Sequence, residues 1–170
     1  DLLPALAALA ALLGSACTQV PTPPEVTPLV GGWQYRWGDS PVESGLKTWA
    51  SEPWEAPGWT EVALPGAPPG RPPDTRHLWV RFRLPAPLPD AATVYLQWVD
   101  QNVEAYLGGQ PFYRFGEPEF ARPALGTPSH FLRIPAESAG AVLTLRVYSD
   151  QASAGPLGAH YIYLFWPDQK

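Results

Sequence analysis

From Gly31 onward, apolar and polar residues alternate with period two over short stretches. That period places successive side chains on opposite faces of a strand. Trp33-Gln34-Tyr35-Arg36-Trp37 alternates until Gly38-Asp39-Ser40-Pro41 stops it. Leu78-Trp79-Val80-Arg81-Phe82-Arg83-Leu84 and Thr93-Val94-Tyr95-Leu96-Gln97-Trp98-Val99 read as two further strands. Val103–Leu107 and Gln110–Phe115 flank Gly108-Gly109 and predict a hairpin. Phe131–Ile134, Val142–Tyr148 and Tyr161–Trp166 complete the set. The pattern places Trp33, Trp37, Trp79 and Trp98 in the core. It places Arg81, Arg83, Arg133 and Arg146 outward, with cross-strand partners. No helix longer than two turns is expected after Pro28. Short strands separated by Gly and Pro breaks predict an all-β, antiparallel β-sandwich or jelly roll. Periodicity does not specify the pairing order.

Two long loops interrupt the strands. Asp39 to Pro57 holds Trp49 and Trp54, with Trp59 just beyond it. Leu64 to His77 is rich in Pro and Gly and ends on Arg71, Asp74, Arg76 and His77. Loops longer than about 12–15 residues are often functional, and Pro lowers the entropy lost when a loop holds a ligand.

Composition narrows the class. The 170 residues are 45% hydrophobic and 12% aromatic, enough to bury a core despite 23 Pro and 15 Gly. Only 16% are charged, below the roughly 25% of an average soluble domain. The net charge is −5, and the 11 Lys and Arg are scattered. A nucleic-acid groove or a polybasic membrane patch therefore has no electrostatic support.

The single Cys excludes an internal disulfide. Cys17 follows the apolar run Leu2–Leu13 and the small residues Gly14-Ser15-Ala16. The run is shorter than the roughly 20 residues a bilayer span needs and has the length of a secretory signal core. It resembles a bacterial lipobox, in which the Cys thiol receives a lipid and the peptide is cut before it. Gly14 stands where such motifs carry a large aliphatic residue. A plain secretory signal, a membrane-anchor stub and a buried core helix are the alternatives. The expected organisation is a leader at 1–17, a Pro-rich tether at 18–30 and a β-sandwich at 31–170. On this expectation the body lies outside the cytoplasm, in the periplasm or at the cell surface, held to the membrane through Cys17.

The order Trp33 and Trp37, Leu64-Pro65-Gly66, Leu78–Phe82, Val94-Tyr95-Leu96, Asp100, Val103–Gly109, Phe131–Pro135 and Leu143–Tyr148 resembles the galactose-binding-domain-like jelly roll. That fold occurs in the sugar-binding domain of family 2 glycoside hydrolases and in carbohydrate-binding modules. It also occurs in extracytoplasmic sensor domains of bacterial diguanylate cyclases and histidine kinases. The segment Val99–Gly116, together with Arg146–Asp150, is most similar to the sensor domains. The resemblance spans about residues 31–158 and implies the fold more than the ligand. Gly108-Gly109 replaces the usual Asn-Gly or Asp-Gly turn, so no side-chain contact carries over there.

Catalytic chemistry finds little support. Two glycosidase carboxyls stand roughly 5–9.5 Å apart, whereas Asp100 and Glu104 on one extended strand are about 13 Å apart. No nucleophile elbow, zinc spacing or phosphate loop is present, and His77, His130 and His160 are dispersed. Asp39, Asp74 and Asp150 are of the type calcium takes, but no spacing selects them. The reading is no enzyme, no cofactor and no metal.

Binding chemistry is better supplied. Sugar faces stack on Trp and Tyr, and Asp, Asn, Gln and Arg serve the hydroxyls. Trp49, Trp54 and Trp59, then Arg71, Asp74, Arg76 and His77, then Asp100, Gln101, Asn102 and Glu104 form the candidate site. The alternative for the loop tryptophans, and the one the residues favour, is that they plug the core rather than hold a ligand. The expected ligand is a carbohydrate or small polar metabolite, and the expected function a non-catalytic sensor domain ahead of a signalling module. An accessory carbohydrate-binding module of a glycoside hydrolase and a lipoprotein interaction domain are the alternatives.

Overall fold

The computed structural model describes residues 25–63, 68–88, 91–99, 102–117, 129–148 and 157–166, and of 25–26, 98–99 and 157–166 the backbone alone. Cys17 and the leader, Asp100, Gln101 and Asp150 lie outside the described residues. Described helical structure is limited to two 3-10 turns, Thr48–Ala50 and Ala136–Ser138. No helix among the described residues is long and apolar enough to cross a membrane.

The strands are β1 (Glu25–Pro28), β2 (Trp33–Trp37), β3 (Val42–Glu43), β4 (Leu46–Lys47), β5 (Thr60–Val62) and β6 (His77–Arg83). They continue with β7 (Thr93–Val99), β8 (Asn102–Leu107), β9 (Gln110–Phe115), β10 (His130–Arg133), β11 (Val142–Tyr148) and β12 (Leu157–Trp166). One sheet runs β1-β12-β7-β10 and the other β5-β2-β6-β11-β8-β9, with β3-β4 as a separate hairpin. Every pairing is antiparallel. Each long period-two segment became a strand. The end of the expected tether is also a strand, because β1 pairs along β12 from Glu25↔Trp166 to Pro28↔Tyr163.

The main core lies between the sheets. Trp33, Leu78, Val80, Val94, Leu96, Val103, Leu132, Leu143, Leu145 and Val147 are buried there at alternate strand positions. The predicted β8–β9 hairpin forms on Gly108 and Gly109 at φ 56° and 85°, a left-handed pair that glycine adopts without steric cost. A Cβ on Gly109 would stand 2.8 Å from that of Ser51, so this turn also seats against the Thr48–Ala50 turn.

The outer face of the six-stranded sheet departs from the alternation expected. Trp79, Arg81 and Arg146 are 0%, 0% and 1% exposed, so neither Arg81 nor Arg146 faces solvent. Arg83 and Arg133 are exposed, as the pattern predicted. The loop after β2 folds back across this face and builds a second core from Trp49, Ala50, Trp79 and Tyr106, with Trp59 packed on it. Trp49 meets Trp79 edge-on at 5.9 Å, and Trp79 stacks on Tyr106 at 5.6 Å. Trp79 therefore is core, but not in the core between the sheets. Trp33 is in the main core and Trp37 packs against it. The side chain of Trp98 lies outside the described residues.

Candidate functional site

Register sets the polar row on the outer face. Across the sheet, Arg36 stands opposite Trp79, Trp79 opposite Arg146, Arg146 opposite Glu104 and Glu104 opposite Arg114. Antiparallel pairing brings directly opposite side chains within reach of one another, so ion pairs follow from this order. Asp39 enters from the turn after β2. It accepts from Arg146 Nε at 2.8 Å and Nη2 at 2.7 Å, while Nη1 donates to Glu104 Oε2 at 3.0 Å. The Tyr106 hydroxyl donates to the same Oε2 at 3.1 Å. Nη2 also reaches His77 Nε2 at 3.1 Å. A guanidinium only donates, so Nε2 accepts and the ring proton sits on Nδ1, 3.9 Å from Asp39 Oδ2.

The titration of the network follows from these contacts. Burial opposes ionisation of Asp39, but hydrogen bonds and charge from Arg146 outweigh it, and its pKa falls from 3.8 to about 2. Burial likewise opposes the charge of Arg146, yet Asp39 and Glu104 raise its pKa. Burial and the neighbouring Glu104 carboxylate push the Tyr106 phenol up. A general acid needs a carboxyl with a raised pKa. Asp39 is shifted the other way, and Glu104 is committed to the same guanidinium.

A second arginine organises the covering loop. Arg81 Nε donates to Gln34 Oε1 at 2.8 Å, and its Nη atoms donate to the carbonyls of Glu52, Pro53 and Trp54. Its guanidinium lies 4.1 Å from the Trp59 ring centre and 5.1 Å from that of Trp54. Arg36 covers Trp49 at 3.9 Å and meets Glu52, which accepts from Trp59 Nε1 at 2.7 Å. These donors satisfy carbonyls of a loop whose backbone would otherwise lie unpaired against the sheet.

The sequence-selected residues fall into separate places. Trp49 is a plug of the second core, and Trp54 and Trp59 are half-buried against Arg81. None of the three is an open stacking platform. Arg71 donates to the Thr75 carbonyl at 2.8 Å and sits 5.7 Å from the Trp37 ring. Asp74 and Arg76 are exposed in the same loop. His77 and Glu104 join the Arg146 network. Asn102 is fully buried, and its Nδ2 donates to the Glu117 carbonyl at 3.0 Å. A Cβ at Gly116 would stand 2.0 Å from Asn102 Oδ1, so Asn102 packs the end of the β8–β9 hairpin rather than facing a ligand. Among the described residues no three His, Cys, Asp or Glu side chains are placed to hold a metal ion.

A cleft of about 620 Å³ opens beside the network. Its floor is Glu104, Tyr106, Pro111 and Arg114 on β8 and β9, and its wall is Val42, Leu46 and Lys47 on the β3–β4 hairpin. Sequence reasoning found Glu104 but not the hairpin, whose strands have two residues each. Ser44-Gly45, both at positive φ, form its turn, and that Ser-Gly dipeptide is a local signal of one in the sequence.

The sequence matches no family model and no curated protein. Solved structures do share the fold. A calcium-binding mutant of Bacteroides uniformis beta-glucuronidase 2 is 13% identical with a TM-score of 0.56, over 84% of this chain and 18% of that one. A beta-glucuronidase from an uncultured Clostridium sp. is 14% identical with a TM-score of 0.57, over 86% of this chain and 30% of that one. A glycosyl hydrolase family 2 member from Bacteroides cellulosilyticus is 15% identical with a TM-score of 0.56, over 82% and 20%. The chain thus spans between 18% and 30% of these three enzymes. At these identities the likeness is one of fold, that of a β-sandwich found within larger glycosidases.

Proposed function

We propose that this chain is a non-catalytic, carbohydrate-binding accessory domain of the glycoside-hydrolase kind. The observation that carries the reading is the shared fold, which takes in most of this chain but a minor part of each glycosidase. The carboxylate chemistry agrees, because Asp39 and Glu104 are bound to one buried guanidinium and Asp39 is held fully ionised. This reading takes precedence over the sensor domain expected from the sequence, since the three solved structures described above are glycosidases. The domain is further proposed to work outside the cytoplasm, held to the membrane by lipid on Cys17.

The test is a glycan array with the full chain, run beside hydrolysis assays on p-nitrophenyl glycosides. Binding without turnover is expected. Hydrolysis above the buffer rate would remove the non-catalytic part of the reading, and an array with no bound glycan would remove the carbohydrate part. For the anchor, bacterial expression with labelled fatty acid should mark the parent and leave Cys17→Ala unlabelled. Equal labelling of the two would refute it.

A further inference from the structure

We propose that the cleft between the β3–β4 hairpin and the outer face of β8–β9 binds neutral saccharides through a vicinal pair of ring hydroxyls. The proposal rests on the carbohydrate-binding reading and names its site and ligand chemistry. At about 620 Å³ the cleft lies within the roughly 300–1,000 Å³ of small-molecule pockets.

Its floor holds an acceptor beside a donor. Glu104 has a side chain only 13% exposed, and its Oε2 is occupied by Arg146 and Tyr106. Its other oxygen, Oε1, faces Arg114 Nε at 3.9 Å, too long for a hydrogen bond. Lone pairs on Oε1 are therefore available to a ligand hydroxyl. Arg114 is half-exposed, and its Nη2 donates to Glu117 at 2.7 Å, which leaves other guanidinium N–H groups. One hydroxyl donating to Oε1 while its neighbour accepts from Arg114 matches this pair.

The wall supplies the apolar half of sugar recognition. Val42 and Leu46 are 58% and 62% exposed, and with Pro111 they offer C–H surface to a pyranose face. The wall is held in advance. Thr48 N–H donates to the Pro41 carbonyl at 3.0 Å, and Trp49 N–H donates to Ser40 Oγ at 3.0 Å. A preformed wall lowers the ordering cost of binding.

Charge points to a neutral ligand. Arg114 is offset by Glu104 and Glu117, Arg146 by Asp39 and Glu104, and Lys47 already has an interaction within the chain. The carboxylates Asp39, Glu104 and Glu117 equal the cations Arg114, Arg146 and Lys47 in number, so an acidic sugar would meet Glu104 with no net positive charge beside it.

The experiment is calorimetric titration and saturation-transfer NMR on the full chain. The probes are methyl β-glucoside, methyl β-galactoside, cellobiose, methyl 3-deoxy-β-glucoside and glucuronic acid. Millimolar binding of at least one neutral probe is expected. Removing a charged partner of a hydroxyl in Glu104→Gln or Arg114→Ala should weaken it on the order of tenfold. Leu46→Ser should weaken it several-fold. The 3-deoxy glycoside, which has no vicinal ring pair, should bind on the order of tenfold more weakly than its parent. Thermal melting accompanies Glu104→Gln, which touches the Arg146 network, while Arg114→Ala and Leu46→Ser alter exposed side chains and keep the fold. Phe131→Ala removes an exposed aromatic of the other sheet and should leave the affinity unchanged.

Neutral sugars bound equally by the parent, Arg114→Ala and Leu46→Ser would overturn the cleft and leave the carbohydrate-binding reading standing. Loss of binding in Phe131→Ala alone would do the same. Binding of glucuronic acid in preference to the neutral probes would overturn the ligand chemistry. A parent that binds no saccharide would overturn both readings.

Discussion

At the central strands β6 and β11 the two faces of the six-stranded sheet are both buried, by different chemistry. The inner face carries Leu78, Val80, Leu143, Leu145 and Val147, all within the main core. The outer face of the same two strands, β6 and β11, carries Trp79, Arg81 and Arg146. Burial of the inner face is non-directional, so its strength follows area and packing. The outer face is directional: each guanidinium has a stated set of acceptors, and leaving one unmet in a low dielectric is costly. The two arginines also differ from each other. Arg81 spends its donors on backbone carbonyls of the covering loop, whereas Arg146 spends them on two carboxylates and a histidine. One holds a loop down; the other orders a polar row that ends at the cleft.

If the outer face is a core in its own right, its residues should cost as much to remove as inner ones. Trp79→Ala is expected to destabilise by about 3–5 kcal/mol, and Leu145→Ala by about 2–5 kcal/mol, in urea unfolding. A Trp79 cost under about 1 kcal/mol would reduce the second core to a loosely lying loop.

Arg146→Ala leaves Asp39 and Glu104 without their shared cation. A loss of about 3 kcal/mol, the low end for a buried ion pair, is expected, because Asp39 is 38% exposed and solvent relieves its charge. The triple change Asp39→Asn, Glu104→Gln and Arg146→Met should cost much less than the sum of its parts, because no unpaired charge remains. Strict additivity of the three would show that they do not act as one network.

Gly109→Ala tests how the cleft floor is joined to the loop. The residue sits at φ 85° with Ser51 2.8 Å from the added Cβ. A cost of about 1–3 kcal/mol is expected from the strained backbone alone, while Gly45→Ala strains only an exposed turn and meets no atom. Equal costs at the two positions would show that the contact with Ser51 contributes nothing.

Acid should act in two steps, first at His130 on β10 of the other sheet and then at Asp39 on the outer face. Burial lowers the pKa of His130, so an unfolded chain takes up that proton first and stability declines as pH falls below 6.5. Asp39 is depressed from 3.8 to about 2, so its contribution is fully present above about pH 4 and is lost as pH falls towards 2. Solvent around Asp39 makes this second step modest. Denaturation midpoints across pH should show the lower step vanish in Asp39→Asn. The smallest effect is expected at Arg83, where a pair with Glu55 at 3.8 Å is exposed on both sides, and Arg83→Ala should fall within about 0.5 kcal/mol.

The strands were legible because alternation of apolar and polar residues is a local property that pleating converts directly into two faces. Trp33–Trp37, Thr93–Val99 and Val142–Tyr148 appear where the pattern put them, and Gly108-Gly109 marked its turn because glycine adopts the left-handed pair that closes it. The arginines were misplaced by the same rule. Alternation separates two faces, but it does not say whether the second is covered by another part of the chain. Trp79-Val80-Arg81 carried a hint, since bulky residues at successive positions suit a strand buried on both sides. Which carboxylate would meet Arg146 was not legible, because Asp39 precedes it by 107 residues. The cleft was hidden for the same reason: its wall and floor come from hairpins far apart in the chain. Local steric and hydrophobic preferences thus settled the long strands and one turn from sequence alone. Pairing order, the loop's return over the sheet and the meeting of Asp39, Arg146 and Glu104 were decided by tertiary packing, where contacts between distant residues depend on every strand between them.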